Sequence, residues 1–418
     1  MKRKALTLLH LLCSITLITG PATARAADGA DISGQAPPAL QRLVATVLPD
    51  HPRLQASKAE LARAEAGLRG ADKAVYNPEL EIDAERTDVD TRYLQLSQAI
   101  DMGDQRGART SVADAELRRA RARYIQERQA LMRDLLQAIA EDTTNRALAR
   151  LATRRLELMR EFADLAERRH RAGDLDQVEL ELARLAYSEA LMNNAAAQAE
   201  AAAARQRLQA LFGSVPAEAP LPENLPAPQL PTPVDDFVRR LPVMQAIEAD
   251  VAAARQTVEL RRAERSWDPT IAVRGGAEDD NRLIGATLTV PLKVRNPLRA
   301  EVEAAQQALI AAEQQAQQAF RDQKALLLAV TARYRLVQVA WSEWQRTGRS
   351  SIKRQLALIK RLWQAGDMST TDYLVQLKQA LETEAAGLEL RGRVWNSSFE
   401  WLYTTARLAD WLNNEEAN

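Results

Sequence analysis

Two stretches of the chain, "RAGDLDQVELEL" (residues 171–182) and "QAGDMSTTDYLV" (364–375), decide how it folds. Both contain Ala-Gly-Asp, as Ala172-Gly173-Asp174 and Ala365-Gly366-Asp367, at an offset of 193. Residues 108–172, which lead into the first, contain no glycine or proline. Residues 298–365, which lead into the second, contain only Gly348. Glycine at the end of such a run suits the left-handed position that closes a helix. Asp176…Glu179 and Ser369…Asp372 then have the spacing of a capping box for a helix returning from the turn. At 1.5 Å per residue, runs of about 65 residues make helices of about 100 Å, far longer than globular helices usually are.

Working outward, the same order of motifs occurs twice. Tyr76-Asn77-Pro78 matches Trp267-Asp268-Pro269 at an offset of 191, and "LSQAI" (96–100) matches "LTVPL" (288–292) at 192. Three matches in one order at nearly one offset indicate a tandem duplication. Each unit opens with a helix, 39–74 and 235–265, which the aromatic-x-Pro stops, because the residue before proline leaves helical space. Leu151, Leu158 and Leu165 fall at sevens within the first long run. Val330, Val337 and Trp344 do so in the second, with Trp341 between, and Ile352, Leu356, Ile359 and Trp363 continue the stripe. Such a seam predicts coiled-coil packing.

Between the opening helix and the long run, each unit alternates with period two. In "ELEIDAE" (79–85), Leu80, Ile82 and Ala84 point one way and Glu79, Glu81, Asp83 and Glu85 the other. Leu94 and Leu96 alternate in the next segment, as do Ile271 and Val273. Ile284, Ala286, Leu288 and Val290 do the same around Gly285, Thr287 and Thr289. Alternation of this kind predicts strands. The polar loops "RTDVDT" (86–91) and "GAEDDNR" (276–282) join them into two hairpins.

The expected layout is a signal peptide over 1–26, a first repeat over 27–213, a connector over 214–234 and a second repeat over 235–418. The first repeat has its hairpin at about 78–101 and long helices at about 107–172 and 174–212. The second has its hairpin at about 269–292 and long helices at about 297–365 and 368–412. The leader is read from Lys2, Arg3 and Lys4, the apolar "ALTLLHLLCSITLITG" and the small-x-small Ala24-Arg25-Ala26. Its Cys13 is the chain's one cysteine, so the mature part is expected to have no disulfide and no thiolate metal site. The connector, "SVPAEAPLPENLPAPQLPTP" (214–233), has seven prolines and predicts an extended path.

Lys and Arg total 56 against 56 Asp and Glu, so no broad basic face points to nucleic acid. No phosphate loop, nucleophile elbow or paired metal-ligand spacing is present. His51 and His170 lie far apart in helical surroundings and read as solvated. Neither a catalytic residue, a cofactor nor a metal site is expected, which leaves function to shape. The strands have the length and alternation of membrane-barrel strands. From alternation alone, soluble hairpins packed on helices remain an equal reading.

The quoted residues resemble the TolC family of outer-membrane efflux proteins. "YNPELEIDAER" and "LQLSQAIDMGDQRGAR" carry the likeness in the first half, "WDPTIAV" and "IGATLTVPLKVRNPLRAEVEAA" in the second, and the two Ala-Gly-Asp turns complete it, over about 39–410. The hairpins are most similar to the CzcC-like heavy-metal branch, which serves resistance-nodulation-division pumps. The chain lacks the lipidated N-terminal cysteine of many relatives and has Pro297 where many have glycine. The resemblance implies a mainly α fold with a β-barrel part. Three copies would share a twelve-stranded outer-membrane barrel in lipid and a helical tunnel through the periplasm. A periplasmic adaptor and an inner-membrane pump would be partners, and the duct would export heavy-metal cations, multidrug efflux or type I protein secretion being the alternatives.

Several residues take expected roles under that resemblance. Glu79, Glu81, Asp83 and Glu85 would line the lumen, a dozen carboxylates in the trimer near one level, with Arg92, Arg274 and Lys293 as balancing charge. Gly173, Asp174, Gly366 and Asp367 would form the adaptor-docking tip. Asp372 aligns with a ring of aspartates that closes some family tips and is the gate candidate, although its spacing also fits a helix cap.

Overall fold

The computed structural model describes residues 36–86, 88–213, 215–216, 219 and 221–412. The expected signal peptide lies outside them. The first repeat comprises α1 (Pro38–Val47), α2 (Pro52–Ala71), β1 (Glu79–Arg86), β2 (Asp90–Ala99), α3 (Gln105–Ala172) and α4 (Gln177–Phe212). The second comprises α5 (Val234–Arg239), α6 (Pro242–Ala263), β3 (Thr270–Glu278), β4 (Asn281–Thr289), α7 (Arg299–Glu343), α8 (Arg349–Ala365), α9 (Thr370–Thr404) and α10 (Leu408–Leu412).

Helix α3 is 68 residues long, about 100 Å at the standard rise. It packs against α2, α4, α6, α9 and α10 and is the spine of the described chain. Its middle is buried at Leu131, Met132, Leu135, Leu136, Ile139 and Ala140. Burial of this kind, rather than helix propensity, holds so long an element together. Small residues let neighbouring helices approach: Ala183, Ala190, Ala201 and Ala204 are the buried face of much of α4.

The second long run is not one uniform helix. A π turn over Trp344–Gly348 separates α7 from α8. The stripe Val330, Val337, Trp344 steps by sevens, but Ile352 comes eight residues after Trp344. A π turn takes up one extra residue, which returns Ile352, Ile359 and Trp363 to the buried side. Gly387 of α9 faces the indole of Trp344, where a Cβ would lie 2.3 Å from a ring carbon.

The returning helix expected over 368–412 also breaks. Ala406 has φ +55°, Arg407 N–H donates to Leu402 O at 2.8 Å and Ala406 N–H to Tyr403 O at 2.9 Å. This closing motif ends α9, and α10 turns back so that Trp411 meets Phe399, ring centroids 6.0 Å apart. The proline-rich connector is anchored as well as extended. Trp395 Nε1–H donates to Pro222 O at 2.9 Å and Tyr334 O–H to Pro226 O at 2.7 Å.

His51 and His170 serve the fold rather than standing in solvent. His51 Nδ1 accepts from Arg53 N–H, capping α2, while Nε2 lies 3.0 Å from Leu211 O. Because Nδ1 accepts, the neutral ring carries its proton on Nε2. His170 Nδ1 is 2.9 Å from Leu175 O across the first turn.

Candidate functional site

The two hairpins join into one antiparallel sheet in the order β1-β2-β3-β4. Its register decides which side chains share a face. Leu80 pairs with Leu96 and Ile82 with Leu94; Leu96 pairs with Val273; Val273 pairs with Ala286 and Ile271 with Leu288. One face is therefore an apolar band across all four strands. It is not packed against the helices: Ile82 is 74% exposed and Ile284 84%. An exposed band of this size on isolated strands marks an interaction surface. No described helix is long and apolar enough to cross a membrane.

The opposite face carries Glu79, Glu81, Asp83 and Glu85 of β1. Ser97, Gln95, Tyr93 and Thr91 stand across from them on β2. Gln95 Nε2–H donates to Glu81 Oε2 at 2.8 Å. These acidic residues are not near one level, as the sequence suggested. From Glu79 to Glu85 is six steps along one strand, about 20 Å, so they form a column. Of the expected balancing cations, Arg274 shares this face, opposite Gly285. Arg92 does not: it pairs with Ala84 and Ala277 and lies on the apolar face. Lys293 lies beyond the strands and bonds to Glu264 O. Among the described residues no group of His, Cys, Asp and Glu could hold a metal ion.

Where the sheet meets the helices, the two copies of the aromatic-x-Pro motif touch. Asp268 is buried, and Tyr76 O–H donates to its Oδ2 at 2.7 Å. Gln105 Nε2–H donates to the same oxygen, and Met102 N–H to Oδ1 at 3.1 Å. One carboxylate thus joins the segment before β1, the end of β2 and the start of α3 to the start of β3. The sequence showed this aspartate only as part of a helix stop. The available signal was that the aromatic-x-Pro motif recurs, with Asp268 standing where the first repeat has Asn77, next to Tyr76.

At the far ends of the long helices, Gly173 and Gly366 have φ +82° and +84°. Asp174 N–H donates to Arg169 O at 2.9 Å and Asp367 N–H to Leu362 O at 3.0 Å, the pattern that closes a helix at a left-handed glycine. Gly173, Asp174, Gly366 and Asp367 are all exposed at the turns. Asp176 Oδ1 accepts from Glu179 N–H at 2.7 Å. Ser369 Oγ accepts from Asp372 N–H at 3.1 Å and donates to Asp372 Oδ2 at 2.7 Å. Asp372 is therefore part of a cap, with its side chain at the surface.

Beside these turns the two helical hairpins meet through a ring cluster that the sequence did not single out. Trp363 and Tyr373 stack, centroids 4.6 Å apart and planes at 17°, and Phe162 of α3 lies 4.9 Å from Trp363. The Arg169 guanidinium sits 5.1 Å from the Trp363 ring, a cation–π geometry. Burial pushes the Tyr373 phenol up, and the nearby Glu161 adds to the shift.

These features together (an exposed apolar sheet face, a polar opposite face and paired long helices with capped tips) can be set against known proteins. Residues 43–214 match the outer membrane efflux protein family. That span runs from within α1 past the end of α4. Three solved outer-membrane proteins share the fold over most of the chain. The CmeC outer membrane channel of Campylobacter jejuni has a TM-score of 0.74 at 13% identity, covering 99% of this chain and 98% of its own. The outer membrane protein VceC of Vibrio cholerae has 0.71 at 18%, covering 88% and 95%. The open state of the MtrE outer membrane channel of Neisseria gonorrhoeae has 0.70 at 16%, covering 89% and 90%. At such identities the likeness is one of fold. No curated protein sequence matches the chain. The fold is that of TolC-like channels: mainly helical, with a small sheet. The family match and the fold support a bacterial outer-membrane location with a periplasmic extension, and a role in efflux.

Proposed function

We propose that the chain is the exit duct of a tripartite efflux system, with three copies sharing one barrel and one tunnel. The observation that carries this reading is a four-stranded sheet with an exposed apolar face and two open edges. Lipid tolerates no open sheet edge, and four strands are too few to close, since a barrel needs about eight. β1 runs away from the helices and β4 runs back, so β4 of one copy can pair antiparallel with β1 of the next. Three copies would then close an up-and-down barrel with its apolar band toward lipid.

Within that duct, Glu79, Glu81, Asp83 and Glu85 would form a carboxylate column along the lumen in each copy. Such columns attract cations and repel anions, which favours heavy-metal cations as cargo under a resistance-nodulation-division pump. The turns at Gly173, Asp174, Gly366 and Asp367 would meet the periplasmic adaptor, and Asp372 would act at the gate. A passive duct needs neither catalytic residues nor a resident cofactor.

Two measurements test the reading. Outer-membrane fractions should contain a heat-modifiable oligomer that conducts ions in planar bilayers; a soluble periplasmic protein without conductance would refute the duct. A deletion strain should become sensitive to metal cations; sensitivity to organic compounds alone, or loss of a secreted protein, would refute the cargo. Reversing charge with Asp174→Lys and Asp367→Lys should abolish pump-dependent resistance if the adaptor docks there.

A further inference from the structure

We infer that the outer rim of the sheet binds phosphate groups of outer-leaflet lipid through Arg86, Arg92 and Arg282, an inference that rests on the apolar face meeting lipid. The register places all three on that face. Ala84 pairs with Arg92, Arg92 with Ala277 and Ala277 with Arg282. Arg86 lies two residues beyond Ala84, and so on the same side. Leu94 and Ile284 lie two residues inward from Arg92 and Arg282. Arg92 and Arg282 thus stand about 7 Å beyond the large apolar side chains Leu94 and Ile284, with only the alanines Ala84 and Ala277 at their level. They lie at the loop end, away from the helices, which is where lipid headgroups would begin. Near the helices, just beyond the paired strands, the exposed residues are instead Trp267 and Leu292.

The charges on this rim leave the arginines available. Arg86 and Arg92 side chains are 87% and 74% exposed, and their contacts with Asp90 are long, 3.4 and 3.7 Å. Asp279 Oδ1 accepts from Asp90 N–H at 2.9 Å and is occupied by the backbone. Glu85 and Glu278 lie on the opposite face by register. Asp88 and Asp280 stand out in the two loops. Arg282 has no ion pair among the described residues. At the interface an arginine on the lipid face costs little, about 0–1 kcal/mol. A guanidinium is weakly hydrated and matches phosphate in a bidentate fork. Threefold closure would extend the row around the barrel.

The test titrates the purified oligomer with a phosphorylated glycolipid of the outer leaflet, with its dephosphorylated form as control, and reads bound lipid by native mass spectrometry. Each arginine near an anionic surface is worth about a fivefold change in affinity. The triple variant Arg86→Gln, Arg92→Gln, Arg282→Gln should therefore bind the phosphorylated lipid on the order of a hundredfold more weakly. It should bind the dephosphorylated control like the wild type. Arg282→Gln alone, which breaks no ion pair, should show a single-residue loss and serves if the triple variant fails to fold. Equal affinity of Arg282→Gln and wild type would overturn the inference, as would release of the lipid by equimolar inorganic phosphate. Absence of a heat-modifiable oligomer in the wild type would instead overturn the barrel reading beneath it.

Discussion

Asp268 holds the two hairpins to the helices, and its removal can be worked through from the contacts. Asp268→Ala deletes a buried acceptor that takes hydrogen bonds from Tyr76, Gln105 and Met102. A hydrogen bond to a charged group contributes about 1.5–3 kcal/mol, and each orphaned donor adds a desolvation cost. The donors are only partly buried, so water would satisfy some of them, and the net loss should be about 3–5 kcal/mol per copy. Asp268→Asn keeps one acceptor oxygen, and the Gln105 amide can turn to meet the new N–H group. Its cost should be about 1 kcal/mol. Tyr76→Phe removes one bond to the charged group together with its donor and should cost about 1.5 kcal/mol. The assay is the temperature at which the heat-modifiable oligomer converts to monomer on a gel. Tyr76→Phe and Asp268→Asn should each fall slightly and Asp268→Ala much further. Conversion of Asp268→Ala at the wild-type temperature would refute the clasp. So would a loss in Tyr76→Phe as large as that in Asp268→Ala.

Two further predictions separate other parts of the fold. On the band, Ile82→Arg should destabilise the assembled barrel by about 2–4 kcal/mol, read as loss of folded oligomer in vesicles, while Asp83→Asn on the other face should assemble normally. If the hairpins were soluble, Ile82→Arg would be nearly neutral, because that side chain is 74% exposed in the single chain. At the connector, burial pushes the Tyr334 phenol up to about 12. In the unfolded chain it ionises near 10, so the unfolded state releases its proton first and stability falls as pH rises from about 10 to 12. Two pKa units correspond to about 2–3 kcal/mol of stability lost over that window. Tyr334→Phe should flatten this alkaline limb in denaturant unfolding, and an unchanged limb would disprove the assignment.

Much of this architecture was legible because the signals were periodic. Alternation around Leu80, Ile82, Leu94, Leu96, Ile271 and Val273 gave strands, and unbroken runs ending at Gly173 and Gly366 gave the helices and turns. The face of Arg92 was legible, since it stands two residues before Leu94 in one strand, and its register against Ala84 agrees. Part of what escaped notice depended on pairing between segments far apart. The carboxylates of β1 line up along the strand because four alternate residues of one strand cannot share a level. The Asp268 clasp and the Phe162–Trp363–Tyr373 cluster join positions more than 160 residues apart. The π turn was visible only as an eight-residue step after Trp344 in a pattern of sevens. The break after Thr404 rests on Ala406 taking a left-handed conformation, for which alanine gives no sequence sign.

The two tips share a backbone but differ in what they do with charge, and under the proposed duct this would divide their roles. At the first, the cap is itself a carboxylate, and Asp176 uses one oxygen to hold Glu179 N–H. At the second the cap is neutral. Ser369 holds the backbone and only one oxygen of Asp372, so the other oxygen remains free to meet a cation. The second tip also bears Trp363 and Tyr373, which tie it to Phe162 of the first hairpin. A cation bound by Asp372 would thus act on the turn that is fastened across hairpins. Neutralising the two carboxylates should separate stability from gating. Asp176→Ala should cost about 1 kcal/mol through the lost cap and leave divalent-cation block of conductance unchanged. Asp372→Ala keeps the Ser369 cap, so it should cost less stability yet weaken the block. The reasoning fails if Asp372→Ala conducts like the wild type across divalent-cation concentrations, or if Asp176→Ala changes the block as much.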